Sequence, residues 1–155
     1  MKLIDCMDER AIILNIQDTD KEAVLSKIVD VLAQNALVSD KAEVERAILT
    51  RERLMSTGVG SGIAIPHAKT EKVDKITIAF ATSRLGIRYK AVDKKNVHVI
   101  FMLIAPKDAA SENLKILTII AKILRGNTAL SEKLLKAESP REVIDLIAKE
   151  EAKIQ

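Results

Sequence analysis

Two apolar runs constrain this chain more than any other feature: KITIAFAT at residues 75–82 and VHVIFMLI at residues 97–104. In each, apolar side chains follow one another instead of alternating with polar ones, so both faces of the segment are buried. Segments of this length, rich in Ile, Val and Phe, read as interior strands of a sheet covered on both sides.

The cover is written in a different period. Over residues 21–35, Val24, Ile28, Val31 and Leu32 recur at helical spacing behind Asp20, a residue suited to cap a helix N-terminus. Asp40-Lys41-Ala42-Glu43 has the form of a capping box and opens a second helix, with Val44, Ala47, Ile48 and Leu54 on one face, that ends near Met55. Leu114, Leu117, Ile120, Ala121 and Leu124 define a third, starting near Ser111 and stopped by Gly126. A short helix over 128–136 follows, and Ser139-Pro140-Arg141-Glu142 starts the last one. A strand is predicted in the short cluster 11–16, and a short edge strand in the polar excursion 86–96. Helices alternating with doubly buried strands predict an α/β fold, a three-layer α/β/α sandwich. With 155 residues, 48% of them hydrophobic, and no linker or repeat, the chain is expected to be a single domain over 1–155.

The composition excludes several classes of function. The net charge of +3 comes from 25 basic and 22 acidic residues interleaved along the chain, and Phe80, Tyr89 and Phe101 are the only rings. Neither a phosphate-tracking stripe nor a set of stacking platforms is expected, which argues against nucleic acid. Cys6 is the single cysteine and reads as a reduced, inert thiol. Charges at Asp5, Asp8, Glu9 and Arg10 interrupt any leader-like apolar start, and no run approaches a membrane span. The expected location is the cytoplasm, with no direct membrane insertion.

The chemistry-bearing stretch is RERLMSTGVGSGIAIPHAKT, residues 51–70. Three glycines between Ser56 and Gly62 give a loop with approachable backbone. Pro66 then fixes its own φ and extends Ile65, so His67 is presented from a stiffened turn. A neutral imidazole can attack phosphorus without a metal. The resulting phosphoryl group needs donors and a cation, for which the glycine-rich amides, Ser56, Thr57, Ser61 and the arginines at 51 and 53 are at hand. The stretch lacks the Gly-Lys-Ser/Thr ending of a nucleotide loop, there is no nucleophile elbow, and two distant histidines make a poor metal site. No metal or cofactor is expected. His98, at the start of its buried strand, reads as a hydrogen-bonded structural residue.

These residues resemble the phosphorylation-site region of enzyme IIA domains of the phosphotransferase system, of the fructose, mannitol and nitrogen-regulatory type. Gly86, Tyr89, Asp93 and the VHVIFMLIAP run are similar to the family's second signature, so the resemblance spans essentially the whole chain. It implies a mixed sheet flanked by helices, His67 as the phosphoryl acceptor and Arg51, not Arg53, as the stabilising arginine. It also implies phosphate arriving from the histidine of an HPr-type carrier and leaving to a cysteine of an enzyme IIB. One position departs from the pattern: the family's His-Leu-x-x-Leu run reads Asn113-Leu114-Lys115-Ile116-Leu117 here. Asn113 keeps a donor for a phosphoryl oxygen but cannot carry positive charge. The resemblance leaves two principal roles open, a carrier in sugar uptake and a regulator whose phosphorylation state controls partner binding. A domain that has lost phosphotransfer, suggested by Asn113 alone, is a third.

Overall fold

The computed structural model describes residues 1–154. A 3-10 turn, Leu3–Cys6, leads into β1 (Met7–Ile13), then α1 (Lys21–Gln34), α2 (Lys41–Leu54), β2 (Gly58–Gly60), β3 (Ile63–Ala64), β4 (His67–Lys69), β5 (Thr77–Ile87), β6 (Val97–Ala105), α3 (Ala110–Leu124), α4 (Thr128–Lys136) and α5 (Pro140–Ala152). Three predicted N-caps form, while at α5 the Glu142 carboxylate accepts from Glu138 N and not from Ser139 N as a capping box would have it. Asp20 accepts from Ala23 N, Asp40 from Glu43 N and Ser139 from Glu142 N, each satisfying an amide that the helix leaves unpaired. Gly126 adopts the left-handed conformation (φ +67°) just beyond α3, where a side chain would be strained.

The strands form one mixed sheet in the order β1-β5-β6-β3-β2, with β4 also on β6. β5 and β6 pair antiparallel, while β1 runs parallel to β5 and both β3 and β4 run parallel to β6. The two doubly apolar runs are thus the central strands, and alternation divides their side chains between two layers. Ala79, Ala81, Ile100, Met102 and Ile104 pack with α1 and α2 residues such as Val24, Ile28 and Ile48. Ile78, Phe80, Phe101 and Leu103 face α3, α4 and α5 through Ile116, Ile120, Leu134 and Val143. Phe80 and Phe101 meet edge to face at 4.9 Å, a favoured aromatic geometry.

The ends of the chain are tied together by Glu151, whose buried carboxylate accepts from Leu3 N at 2.6 Å and Ile4 N at 3.3 Å. Cys6 lies beneath this junction. Burial, reinforced by the nearby Asp5 and Glu151 charges, pushes its thiol up, which keeps it protonated and unreactive.

Four expectations fail: Gly58–Gly60 forms β2 within the predicted glycine-rich loop, His67 begins β4 instead of standing on a turn, and two more concern β1 and the excursion after β5. β1 covers residues 7–13 instead of 11–16, because the 3-10 turn delivers the chain to the sheet earlier and Asn15, at φ +53°, ends the extension. The excursion 86–96 holds no edge strand. β5 continues to Ile87, and Lys90 and Lys94 at φ +57° and +61° then turn the chain, leaving only an isolated bridge between Asp20 and Arg88.

Candidate phosphoryl-transfer groove

β3 and β4 are one strand in all but name. Ile63, Ala64, His67, Ala68 and Lys69 pair in a constant register with Val99, Ile100, Leu103, Ile104 and Ala105. The ladder lapses only at Ile65-Pro66, where proline has no N–H to give. Pro66 still accepts from Leu103 N at 2.9 Å, and Thr70 N donates to Ala105 O at 2.9 Å, so β4 is pinned at both ends. Along this strand Ala64 and Ala68 face the α1–α2 layer while Ile63 and Ile65 face the α3–α5 layer. His67 and Lys69 share the parity of Ile63 and Ile65.

The Ile65 carbonyl points away from β6, as does the Ile65 N–H that donates to Thr57 O, and His67 uses it: Nδ1 lies 2.7 Å from Ile65 O. A carbonyl only accepts, so Nδ1 carries the proton and the neutral ring keeps its lone pair on Nε2. His67 opens onto a groove of about 670 Å³ walled by α2 and α3 with β4 between them.

Arg51, in the last turn of α2, lines that groove and donates from Nη1 to Met55 O at 2.9 Å. Arg53 points elsewhere, into an exposed ion pair with Glu22. Asn113, in the first turn of α3, is buried against the groove, and its Oδ1 is the one buried side-chain N or O atom without a hydrogen-bond partner among the described residues. The structure therefore brings His67, Arg51 and Asn113 together.

It does not bring Ser56, Thr57 and Ser61 to them, which corrects the expectation of a glycine-rich phosphate cradle. Thr57 is buried and fully committed. Its N donates to Glu52 Oε1 at 2.8 Å and its hydroxyl to Glu52 Oε2 at 2.5 Å, leaving Tyr89 O–H to donate to Thr57 Oγ1 at 3.0 Å. Lys21 Nζ completes the knot, 2.6 Å from Glu52 Oε1, 3.1 Å from Tyr89 O and 4.3 Å above the Tyr89 ring. Burial, with the Glu52 charge beside it, pushes the Tyr89 phenol far above its ordinary range. Ser56 is held by Tyr89 O and Gly58 N on the Arg53 side of α2. Ser61 is exposed at the β2–β3 turn, at φ +58°, with its N–H on Asp93. The glycines serve that hairpin instead: a Cβ on Gly58 would come within 2.6 Å of the Ala91 Cβ.

Sequence reasoning gave no site role to several polar or charged groove residues, among them Arg46 and Thr50 on α2 and Lys107 after β6, and it noted Lys69 beside His67 without assigning it one. Two signals were available. Glu43, Arg46, Ala47, Thr50, Arg51 and Leu54 share a helical face, and Lys69 stands two positions from His67 on one strand face. His98 lies near the opposite end of β6, with Nδ1 2.7 Å from Ser83 O and its ring against Gly62 and Gly86. Among the described residues no cluster of His, Cys, Asp and Glu is built to hold a metal, and no helix is long and apolar enough to cross a membrane.

The family model "Phosphoenolpyruvate-dependent sugar phosphotransferase system, EIIA 2" matches residues 5–150. The chain belongs to this family. This EIIA domain is 39% identical over 128 residues to the fructose-specific EIIA component of Haloferax volcanii, covering 83% of this chain and 82% of that protein. It is 37% identical over 147 residues, 95% of its length, to the fructose-specific EIIABC component of Bacillus subtilis, of which it spans only 23%. Its fold superimposes on the nitrogen regulatory protein IIA-Ntr of Neisseria meningitidis with a TM-score of 0.86 at 28% identity, covering 94% of this EIIA domain and 98% of that chain.

Proposed function

We propose that this EIIA domain is a phosphocarrier of the phosphoenolpyruvate-dependent sugar phosphotransferase system that takes a phosphoryl group on Nε2 of His67 from an HPr-type donor and passes it to an enzyme IIB cysteine. The observation that supports the reading is the groove of arginine and lysine onto which His67 opens, with the Ile65 hydrogen bond setting the tautomer that leaves Nε2 as the nucleophile. In the first step Nε2 attacks phosphorus in line, the donor's N–P bond breaks, and the electron pair returns to the donor imidazole. The phosphorylated ring then carries positive charge that Ile65 O stabilises through Nδ1–H. In the second step a thiolate attacks phosphorus and His67 departs as the neutral imidazole it was before, so the ring neither gains nor loses a proton over the cycle.

Arg51 supplies a permanent charge for the equatorial oxygens of the transferring group, and Asn113 supplies a donor amide. Lys69, on the same strand face as His67, and Arg46 add the positive charge that asparagine lacks; among the described residues neither is engaged with a carboxylate within 4.0 Å. The test is incubation with labelled phosphoenolpyruvate, enzyme I and HPr. Acid-labile, base-stable label is expected on wild type and none on His67→Ala, with phosphorus–nitrogen couplings assigning it to Nε2. Label retained by His67→Ala, or located on Nδ1, defeats the reading.

A second role is supported by the strong superposition on IIA-Ntr along nearly the whole of both chains. In that case the same phosphohistidine governs the binding of a target protein. Pull-downs with phosphorylated and unphosphorylated domain separate the roles, since a transport carrier gives no phosphorylation-dependent partner beyond the transfer proteins.

A further inference from the structure

The charges of this chain are less evenly spread than their counts suggest. The segment from Arg84 to Asn96 holds five of the 25 basic residues, Arg84, Arg88, Lys90, Lys94 and Lys95, and one of the 22 acidic residues, Asp93. Its net +4 exceeds the +3 of the whole molecule, so the remainder of the chain is slightly negative. All five cations are exposed, and among the described residues none lies within 4.0 Å of a carboxylate, whereas nine other lysines and arginines are paired. Asp93 does not offset them locally. Its carboxylate accepts from Lys95 N at 3.1 Å and Ser61 N at 3.0 Å, which hold its pKa down and tie the basic loop to the β2–β3 hairpin.

Four of the cations, Arg88, Lys90, Lys94 and Lys95, surround a shallow depression of about 490 Å³. Val92, 80% exposed, belongs to the same loop, and Leu85, 62% exposed, stands at the end of β5 beside it in sequence. The patch lies at the Val97 end of β6, six positions from the Leu103 that pairs with His67, or about 20 Å along the strand.

We propose that this loop is a docking surface for an anionic lipid bilayer, with the lysines and arginines on the headgroups and Val92 and Leu85 in the interfacial layer. Three features select that occupant. A single small anion would require enclosure, but every cation here is exposed and none is a buried donor aimed into the depression. A nucleic acid would use stacking faces, and Tyr89, the only ring in the segment, is fully buried. Clustered lysine and arginine interspersed with exposed aliphatic side chains matches the charge and polarity of a bilayer interface. Docking there leaves the His67 groove about 20 Å away, open to protein partners.

The experiment is flotation of the intact chain with phosphatidylcholine vesicles, with and without about 30% phosphatidylserine, at roughly 50 mM and 500 mM salt. Wild type should bind the anionic vesicles at low salt, lose that binding at high salt, and ignore neutral vesicles. The variant K90E/K94E/K95E should bind about tenfold less or weaker still, while K122E/K133E/K136E, with the same change in net charge on exposed positions elsewhere, should stay within about twofold of wild type. Equal losses in the two triple variants, equal binding to neutral vesicles, or no binding at low salt would overturn the proposal, the last pointing to an acidic protein face instead. His67 labelling of K90E/K94E/K95E is the independent readout. It should remain at the wild-type level, so failure of membrane docking and failure of the phosphocarrier reading are told apart.

Discussion

His67 and His98 make the same hydrogen bond, Nδ1 to a backbone carbonyl at 2.7 Å, and both leave Nε2 as the basic nitrogen. Nothing in the rings themselves separates a nucleophile from a structural residue. Their surroundings do. His98 presses on Gly62 and Gly86, so closely that a Cβ on Gly86 would stand 3.0 Å from its Cε1. His67 faces a groove with Arg51, Arg46, Lys69 and Asn113. The lesson is that the hydrogen bond sets which nitrogen can react, while the neighbouring cations and free volume set whether phosphate can be held there.

The comparison breaks outright if label is found on the wrong ring. His67→Ala should abolish phosphoryl acceptance, and His98→Ala should preserve it while lowering the urea midpoint. Next in size, Arg51→Ala should slow acceptance by about a hundredfold, as expected when a preorganised cation is removed from a transferring phosphoryl group, and Arg51→Lys should recover only part of it. Single-turnover label transfer measures both.

A smaller effect is expected one residue along the helix. Glu52→Ala strips the buried partner from Lys21 and Thr57 and should cost roughly 3 kcal/mol in urea unfolding, with a loss of rate only where the end of α2 carrying Arg51 loosens. Asn113→His should raise the transfer rate by about tenfold or less, because it adds a charge beside groups already present. No change there would show that Lys69 and Arg46 already supply the missing charge.

The smallest effect is one of pH. Since Tyr89 has its phenol pushed up in the folded state, the unfolded chain releases that proton first. The associated stability is complete below the ordinary phenol range near ~10 and declines as pH rises through it. Tyr89→Phe should flatten that alkaline decline in urea midpoints without changing which histidine is labelled.

Much of this was legible beforehand because it is local. Asp20, Asp40 and Ser139 announce their helices through hydrogen bonds three residues away, and the doubly apolar runs can only be interior strands. The proline before His67 pointed to the groove, and the family resemblance singled out Arg51 over Arg53. Thr57 was misread for the opposite reason: a hydroxyl in a glycine-rich stretch looks the same in sequence whether it meets a phosphate or a buried carboxylate. Only the tertiary arrangement of Glu52, Lys21 and Tyr89 decides between them. Arg46 needed α2 and β4 to be set against each other before it could be seen as a neighbour of His67.

The pinning of β4 to β6 also bears on how the domain deals with two partners in succession. Pro66 O and Thr70 N anchor both ends of the three-residue strand to β6, which lies between β5 on one side and β3 and β4 on the other. Loops fray locally at little free-energy cost, whereas a segment bonded into a central strand opens only with much larger units of structure. The amide hydrogens of Ala68 and Thr70, which this parallel pairing directs at β6, should therefore exchange with solvent far more slowly than those at 90–96. A carrier with that protection keeps the same reactive geometry whether a donor, an acceptor or neither is present, and need not be reshaped by each in turn.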